Sequence, residues 1–234
     1  GRSLDNGGEK IALLTAEGTG VDSMSYDDDF PWPVGADALG AGEEWLPGDW
    51  LPLESHRHMG RSLERVSLAY DSNSIANWPA SPIDGATPGR ANSVARDAPR
   101  PIVEAIRLRA SAPDPNDPLI RKDDSVIAAV AFSHGPVLGA ALEFFLDDIA
   151  GTDEPRAAIM LADDGLMPDE AANDLVWTGT LDPRPDRTIV RYRVLADLGE
   201  GEQVVSPRES DPYGWHAYFV SPAIATATPV YEIF

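Results

Sequence analysis

The densest group of side chains able to do chemistry is an acidic run late in the chain: Asp163, Asp164, Asp169, Glu170, Asn173 and Asp174. Calcium takes roughly six to eight oxygen ligands, and carboxylates with an Asn side-chain carbonyl are suitable donors. A loop of this density between two strands can wrap one ion. Asp163, Asp164, Asp169, Asn173 and Asp174 are therefore the candidate metal ligands, and calcium is the candidate cofactor. The spacing is not that of an EF-hand, which needs acids at alternate positions, a central glycine and a closing glutamate. The competing reading is a solvated turn. Two exposed carboxylates about 4 Å apart in water repel by only ~1 kcal/mol, which a folded domain absorbs. Asp27-Asp28-Asp29 is a second acidic run with the composition of a loop.

His56 and His58 form a His-x-His pair. On a strand both would face one side, where zinc with a third ligand could sit. The prolines and Gly60 around them indicate a loop instead, and surface histidines. Nucleophilic catalysis has no support: there is no Gly-x-Ser-x-Gly elbow, P-loop or Gly-x-Gly-x-x-Gly. Ser3 and Ser62 simply follow arginine in strand-like contexts. A pair of carboxylates for glycoside hydrolysis carries no information in a chain with 39 acidic residues. No catalytic residue is assigned, and the chain is expected not to be an enzyme. Trp32 and Trp78 are expected to pack a core or a turn. Trp45 and Trp50 are candidates for stacking on a sugar or gripping a protein partner.

These groups need elements to position them. Glu9–Leu14 and Val21–Tyr26 read as short strands around the turn Glu17-Gly18-Thr19-Gly20. Residues 35–59 read as a long insertion, 61–69 as another strand, and Thr87-Pro88-Gly89 as a closing turn. Glu9 and Arg65 are expected to form exposed pairs of little energetic weight. Ala95–Pro101 has linker composition. Beyond it, period-two alternation recurs: Val126, Ala128, Val130, Phe132; Leu142, Phe144, Leu146; Val190, Tyr192, Val194, Ala196; and Trp215, Ala217, Phe219. Such alternation between turn clusters is the mark of an antiparallel sandwich. Val137, Ala140, Ala141, Phe144 and Phe145 also match helical spacing, and the neighbouring strands tip that segment to β.

Charge bounds the partners. The formal net charge is -21, with Lys10 and Lys122 the only lysines. Nucleic-acid binders place Lys and Arg against phosphates, so no nucleic-acid partner is expected, and anionic membrane surfaces are disfavoured. No apolar run approaches the roughly 20 residues that span a bilayer, so no membrane insertion is expected. The absence of cysteine excludes disulfides and thiolate chemistry.

Two sets of blocks carry a resemblance. The earlier runs Leu4-Asp5-Asn6-Gly7-Gly8-Glu9, Val21-Asp22-Ser23-Met24-Ser25-Tyr26 and Pro31-Trp32-Pro33. The later runs Gly60-Arg61-Ser62-Leu63-Glu64-Arg65, Asn77-Trp78 and Gly85-Ala86-Thr87-Pro88-Gly89-Arg90-Ala91-Asn92. In that order they resemble the C-terminal part of a bacterial lamin-tail domain, a small immunoglobulin-like β-sandwich. Farther on, Met160-Leu161-Ala162-Asp163-Asp164-Gly165, Asn173-Asp174, Val190-Arg191-Tyr192 and Ala196-Asp197 resemble the immunoglobulin-like domain that follows lamin-tail domains in large exported proteins. That family has glycine where this chain has Pro168 and Leu175. The segment Thr228-Pro229-Val230-Tyr231-Glu232-Ile233-Phe234 looks like the lead-in to a spore-coat-protein-H-type kinase domain.

The resemblance implies an all-β chain of two tandem immunoglobulin-like β-sandwiches, the first N-terminally incomplete. Its parts are a partial lamin-tail-like domain (1–94), a linker (95–100), a sandwich (101–220) and the lead-in (221–234). It further implies a non-catalytic structural or interaction module of a large secreted or cell-surface protein, with a protein or cell-surface partner. The alternatives are the accessory region of an exported kinase, or a calcium-stabilised adhesion or carbohydrate-binding module. A sandwich lacking strands exposes backbone edges, so residues 1–94 are expected to be less stable than 101–220.

Overall fold

The computed structural model describes residues 7–33, 61–82, 86–115, 117–147, 156–208, 211 and 214–223. The fold is all-β, built from antiparallel sheets. It divides into two compact units. One comprises Gly1–Ala105, Phe132–Val137 and Val204–Gly214; the other comprises Ile106–Ala131, Leu138–Gln203 and Trp215–Phe234. The insertion expected over 35–59, with Trp45, Trp50, His56 and His58, lies outside the described residues, as does the lead-in from 224 onward. No helix among the described residues is long and apolar enough to cross a membrane.

The first unit opens on a hairpin of β1 (Glu9–Leu14) and β2 (Gly20–Tyr26). Thr15 N–H donates to Thr19 O at 2.8 Å, and Gly18 takes the positive φ (82°) that the turn requires. Leu13, Leu14 and Val21 on this two-stranded sheet are exposed. The strand expected over 61–69 does not form. Leu63 and Ala80 make one isolated bridge, and three further main-chain bonds hold the pair: Glu64 N to Pro79 O, Val66 N to Asn77 O and Ser81 N to Ser62 O. Pro79 and Pro82 offer no N–H to extend a ladder. Side chains supply what the ladder lacks: Ser81 Oγ accepts from Ser62 N at 3.0 Å, and Asn77 Oδ1 accepts from Ser67 N at 2.9 Å. The Thr87-Pro88-Gly89 turn forms as expected, closed by Arg90 N to Thr87 O at 3.1 Å.

The alternating runs become the strands β3 (Val103–Ala110), β4 (Val126–Phe132), β5 (Gly139–Asp147), β6 (Ala157–Leu161), β7 (Val176–Leu181), β8 (Thr188–Gly199), β9 (Glu202–Ser206) and β10 (His216–Val220). They make a sheet in the order β10-β8-β5-β6, with β9 also on β8, and a sheet in the order β3-β4-β7. Val126, Ala128, Val130 and Phe132 on β4 are buried, as are Leu142 and Phe144 on β5. Val190, Tyr192, Val194 and Ala196 on β8 are buried too. Each fully buried Val or Leu contributes about 1.5–3 kcal/mol relative to exposure. The helix-compatible segment is strand β5, since β8 and β6 pair with it on both sides.

Strand β10 shows what alternation alone leaves open. His216 pairs with Tyr192 and Tyr218 with Val190, so His216, Tyr218 and Val220 share the buried face of β8. The more apolar set, Trp215, Ala217 and Phe219, takes the opposite face. There Trp215 meets Phe145 edge-on at 4.8 Å, with the Arg193 and Arg156 guanidiniums at 4.8 and 5.1 Å from its ring. Arg193 and Arg191 pair with Glu143 and Asp147 of β5 at 2.5 and 2.7 Å. Part-buried cross-strand pairs of this kind add about 0.2–1 kcal/mol each.

Candidate functional site

The acidic turn lies between β6 and β7. Asp163, Asp169 and Asp174 each place a carboxylate oxygen within 4.8 Å of the others. Asp169 is 3% exposed, whereas Asp174 is exposed. Backbone amides hold all three in place. Asp163 Oδ1 and Oδ2 accept from Asp174 N and Leu175 N at 3.2 and 3.1 Å. Asp169 Oδ2 accepts from Gly165 N at 2.6 Å, and Asp174 Oδ1 from Val176 N at 2.9 Å. Carboxylate oxygens carry further acceptor capacity, so the trio has the donor chemistry of a hard cation such as calcium. It supplies only part of a full coordination shell.

Of the other carboxylates in the run, Asp164 is not part of the trio. Asp164 is exposed, and its Oδ1 accepts from Leu166 N at 2.9 Å. Asn173 is exposed and left-handed, with φ 60°. Leu175 also adopts positive φ, 67°. This region of the backbone favours glycine. Glu170 is exposed. The carboxylates of Asp27, Asp28 and Asp29 also converge, all of them exposed, and Asp27 Oδ1 accepts from Asp28 N and Asp29 N.

The first unit contains a polar core that sequence reasoning missed. Glu64 is 4% exposed and accepts four bonds. Thr87 donates its N–H at 2.9 Å and its hydroxyl to Oε1; Ser93 donates its N–H at 2.7 Å and its hydroxyl at 2.5 Å to Oε2. Desolvation pushes the Glu64 pKa up, but the bonds from Ser93 and Thr87 together outweigh it and leave the carboxyl below its ordinary range. Asn77, at 0% exposed, closes the neighbouring loop: its Nδ2 donates to Ser67 O at 3.0 Å, Asp71 O at 3.2 Å and Tyr70 O at 3.4 Å.

Arg65 is not the weak exposed pair expected from sequence. Its side chain is 13% exposed, and it ties Asp22 of β2 to Ser67 O at 3.1 Å and Tyr70 O at 2.9 Å. Its guanidinium also lies 5.9 Å from the Trp78 ring centroid. The Ser72 hydroxyl, first, and Arg65, second, hold the Asp22 pKa below the usual carboxylate range. Trp32 is buried, and Trp78 Nε1 donates to Ser72 O at 2.8 Å, as packing residues should. The partners of Glu64 lie 23 and 29 residues downstream. In a chain with 39 acids, no local signal marks that one as buried.

On the inner face near β10, burial pushes Tyr192 and Tyr218 up to about 12 and His216 down to about 4. The Tyr192 ring centroid is 5.4 Å from His216 and 6.2 Å from Tyr218. Comparison of the sequence with protein-family models and with curated proteins finds no match.

Proposed function

We propose that the chain is a non-catalytic structural and interaction module of a large secreted or cell-surface protein, its first part lamin-tail-like and its second immunoglobulin-like. The observation that carries this reading is how the resembling blocks are used. Glu64, Arg65, Asn77, Trp78, Thr87 and Asn92, all in the lamin-tail-like blocks, engage one another or adjacent main chain and hold the loops together. Their polar groups do the work of cross-links. In the exported proteins that the chain resembles, such modules space and present other domains. A kinase-type domain downstream would be one such neighbour.

The test has two parts. Incubation with chromogenic glycosides, esters and phosphates should give no turnover above a heat-denatured control; turnover that one carboxylate substitution abolishes would sink the reading. A tagged chain fused to an export signal should be retained on the bacterial cell surface, and uniform release into the medium would argue against a surface partner.

The convergence of Asp163, Asp169 and Asp174 favours a second reading, a calcium-stabilised module. Calcium bound there would cross-link the β6–β7 turn, and native-state binding raises stability by mass action. Melting in excess EDTA and then in millimolar calcium should show a rise of several degrees, lost in Asp169→Asn. Coincident curves would leave the acids as loop-holding groups.

A further inference from the structure

Strand β1 belongs to a sheet of two strands. Its partner β2 is anchored within the first unit: Asp22 accepts from Arg65 and from the Ser72 hydroxyl, and Asp22, Ser23 and Met24 are half-buried. No such cover lies over β1. Residues 10–14 are exposed in succession, with Ile11 at 39%, Leu13 at 61% and Leu14 at 54%. Successive side chains alternate, so both faces of the strand are open. Among the described residues, the main chain of 10–14 meets β2 and nothing else.

An edge of unpaired N–H and C=O groups is a template for another strand, and folded proteins guard such edges with charges, prolines or bulges. Little of that protection falls on β1. It has no proline, the one charge within residues 10–14 is Lys10, and the register shift at Leu13/Leu14 puts the extra residue, Val21, on β2. Two strands alone are marginal, and further strands with an apolar face are what stabilise such a sheet. The backbone therefore calls for an extended strand, and the charge of the chain selects which one. At -21, two copies repel over most of their surface, yet residues 10–16 hold no acid. The same stretch is self-complementary. With Ala12 facing its own copy in an antiparallel pair, Ile11 meets the partner's Leu13 and Lys10 meets the partner's Leu14. Apolar side chains then meet on one face, the Lys10 stem lies along a leucine on the other, and no like charges are opposed.

We propose that two copies of the chain pair edge to edge through β1, about a two-fold axis at Ala12, into one antiparallel sheet in the order β2-β1-β1-β2. Two-fold symmetry makes the pairing antiparallel and the contact closed. The contact is short, so the dimer is weak and depends on concentration. Such pairing goes beyond the module reading and is independent of any ligand or partner of the second unit.

The test is analytical ultracentrifugation of the whole chain from roughly 10 μM to 1 mM, the range of a small interface. The mass should rise from the 25.1 kDa monomer toward twice that and stop there, because a two-fold contact uses up the edge. Raising NaCl from about 0.05 to 0.5 M should tighten the dimer, since salt screens the repulsion between two copies at -21. Ala12→Glu sets like charges opposite each other on the axis and should raise the dimer Kd about tenfold or more. Met167→Glu makes the same change of charge at a residue 84% exposed in the other unit and should leave the Kd unchanged. Ala12 is exposed, so the melting temperature of dilute Ala12→Glu should match the parent's. Register is read by cross-linking in a chain that has no cysteine of its own. Under mild oxidation Ala12→Cys should link two copies, whereas Lys10→Cys should not, its two thiols lying roughly 14 Å apart along the pair, beyond the reach of a disulfide. A monomer at 1 mM, growth past the dimer, a dimer that salt dissolves or that Ala12→Glu leaves intact, or cross-linking of Lys10→Cys as readily as Ala12→Cys would each overturn the proposal.

Discussion

Replacing Glu64 with Gln changes one buried group by a single atom type, and the structure fixes what that costs. The carboxylate receives two backbone N–H groups and two hydroxyls, one of each on either oxygen. Gln keeps one acceptor and turns the other oxygen into an amide that faces a donor. The hydroxyl on that side can rotate away, but the Thr87 or Ser93 N–H cannot. A buried N–H left unpaired costs about 1–3 kcal/mol, and the surviving bonds lose their charge assistance, so about 2–4 kcal/mol is expected in all. With a urea m-value of about 2 kcal/mol/M, the unfolding midpoint of the first unit should fall by about 1–2 M. Tryptophan fluorescence should report it, and hydrogen exchange at the Thr87 and Ser93 amides should accelerate. The pH dependence has a definite sign. Glu64 titrates lower in the folded state than its ordinary 4.5, so its contribution is present above that value and is lost as pH falls through the folded-state pKa. The gap between parent and Glu64→Gln should therefore close in acid. A midpoint shift below about 0.3 M, or a gap that stays constant below pH 4.5, would refute the account of a charged polar core.

Other perturbations probe the remaining links. Asn77→Asp sets a carboxylate against three carbonyl oxygens at full burial and should cost about 3 kcal/mol or more in chemical denaturation. Gly179→Ala puts a Cβ 2.7 Å from Leu161 Cδ2 and 3.2 Å from Met160 O, so calorimetry should show about 1–3 kcal/mol of destabilisation. His216 titrates near 4 when folded, against 6.5 ordinarily, so its stabilising contribution is present above pH 6.5 and fades as pH falls toward 4; His216→Gln should flatten that part of the stability profile. The hairpin β1–β2 exposes Leu13, Leu14 and Val21, so its amides should exchange faster than those of β4, β5 and β8, and equal protection in a monomeric sample would contradict this.

The sequence by itself determined the strands of the second unit, because period-two alternation is a local property of a chain with one face buried. Val126 to Phe132 and Val190 to Ala196 turned their apolar positions inward, as written. It also determined the Thr87-Pro88-Gly89 turn, whose φ requirements reside in Pro88 and Gly89 themselves. It located the acidic turn, but only the fold selected Asp163, Asp169 and Asp174 from the run and left Asp164 pointing elsewhere.

What tertiary structure decided depends on partners far away along the chain. Residues 61–69 failed as a strand because Pro79 and Pro82 arrive opposite them without N–H groups, and side chains took over the bonding. The face of β10 was set by its register on β8, which turned His216 and Tyr218 to the inner face, half-buried, and left Trp215 to the arginines. Glu64 became a core residue through bonds to Thr87 and Ser93, neither of which its own neighbourhood announces. Local patterning specifies which residues alternate or turn; burial, register and the pairing of polar groups are properties of the whole fold, and they decide which acids, tyrosines and arginines are available for chemistry.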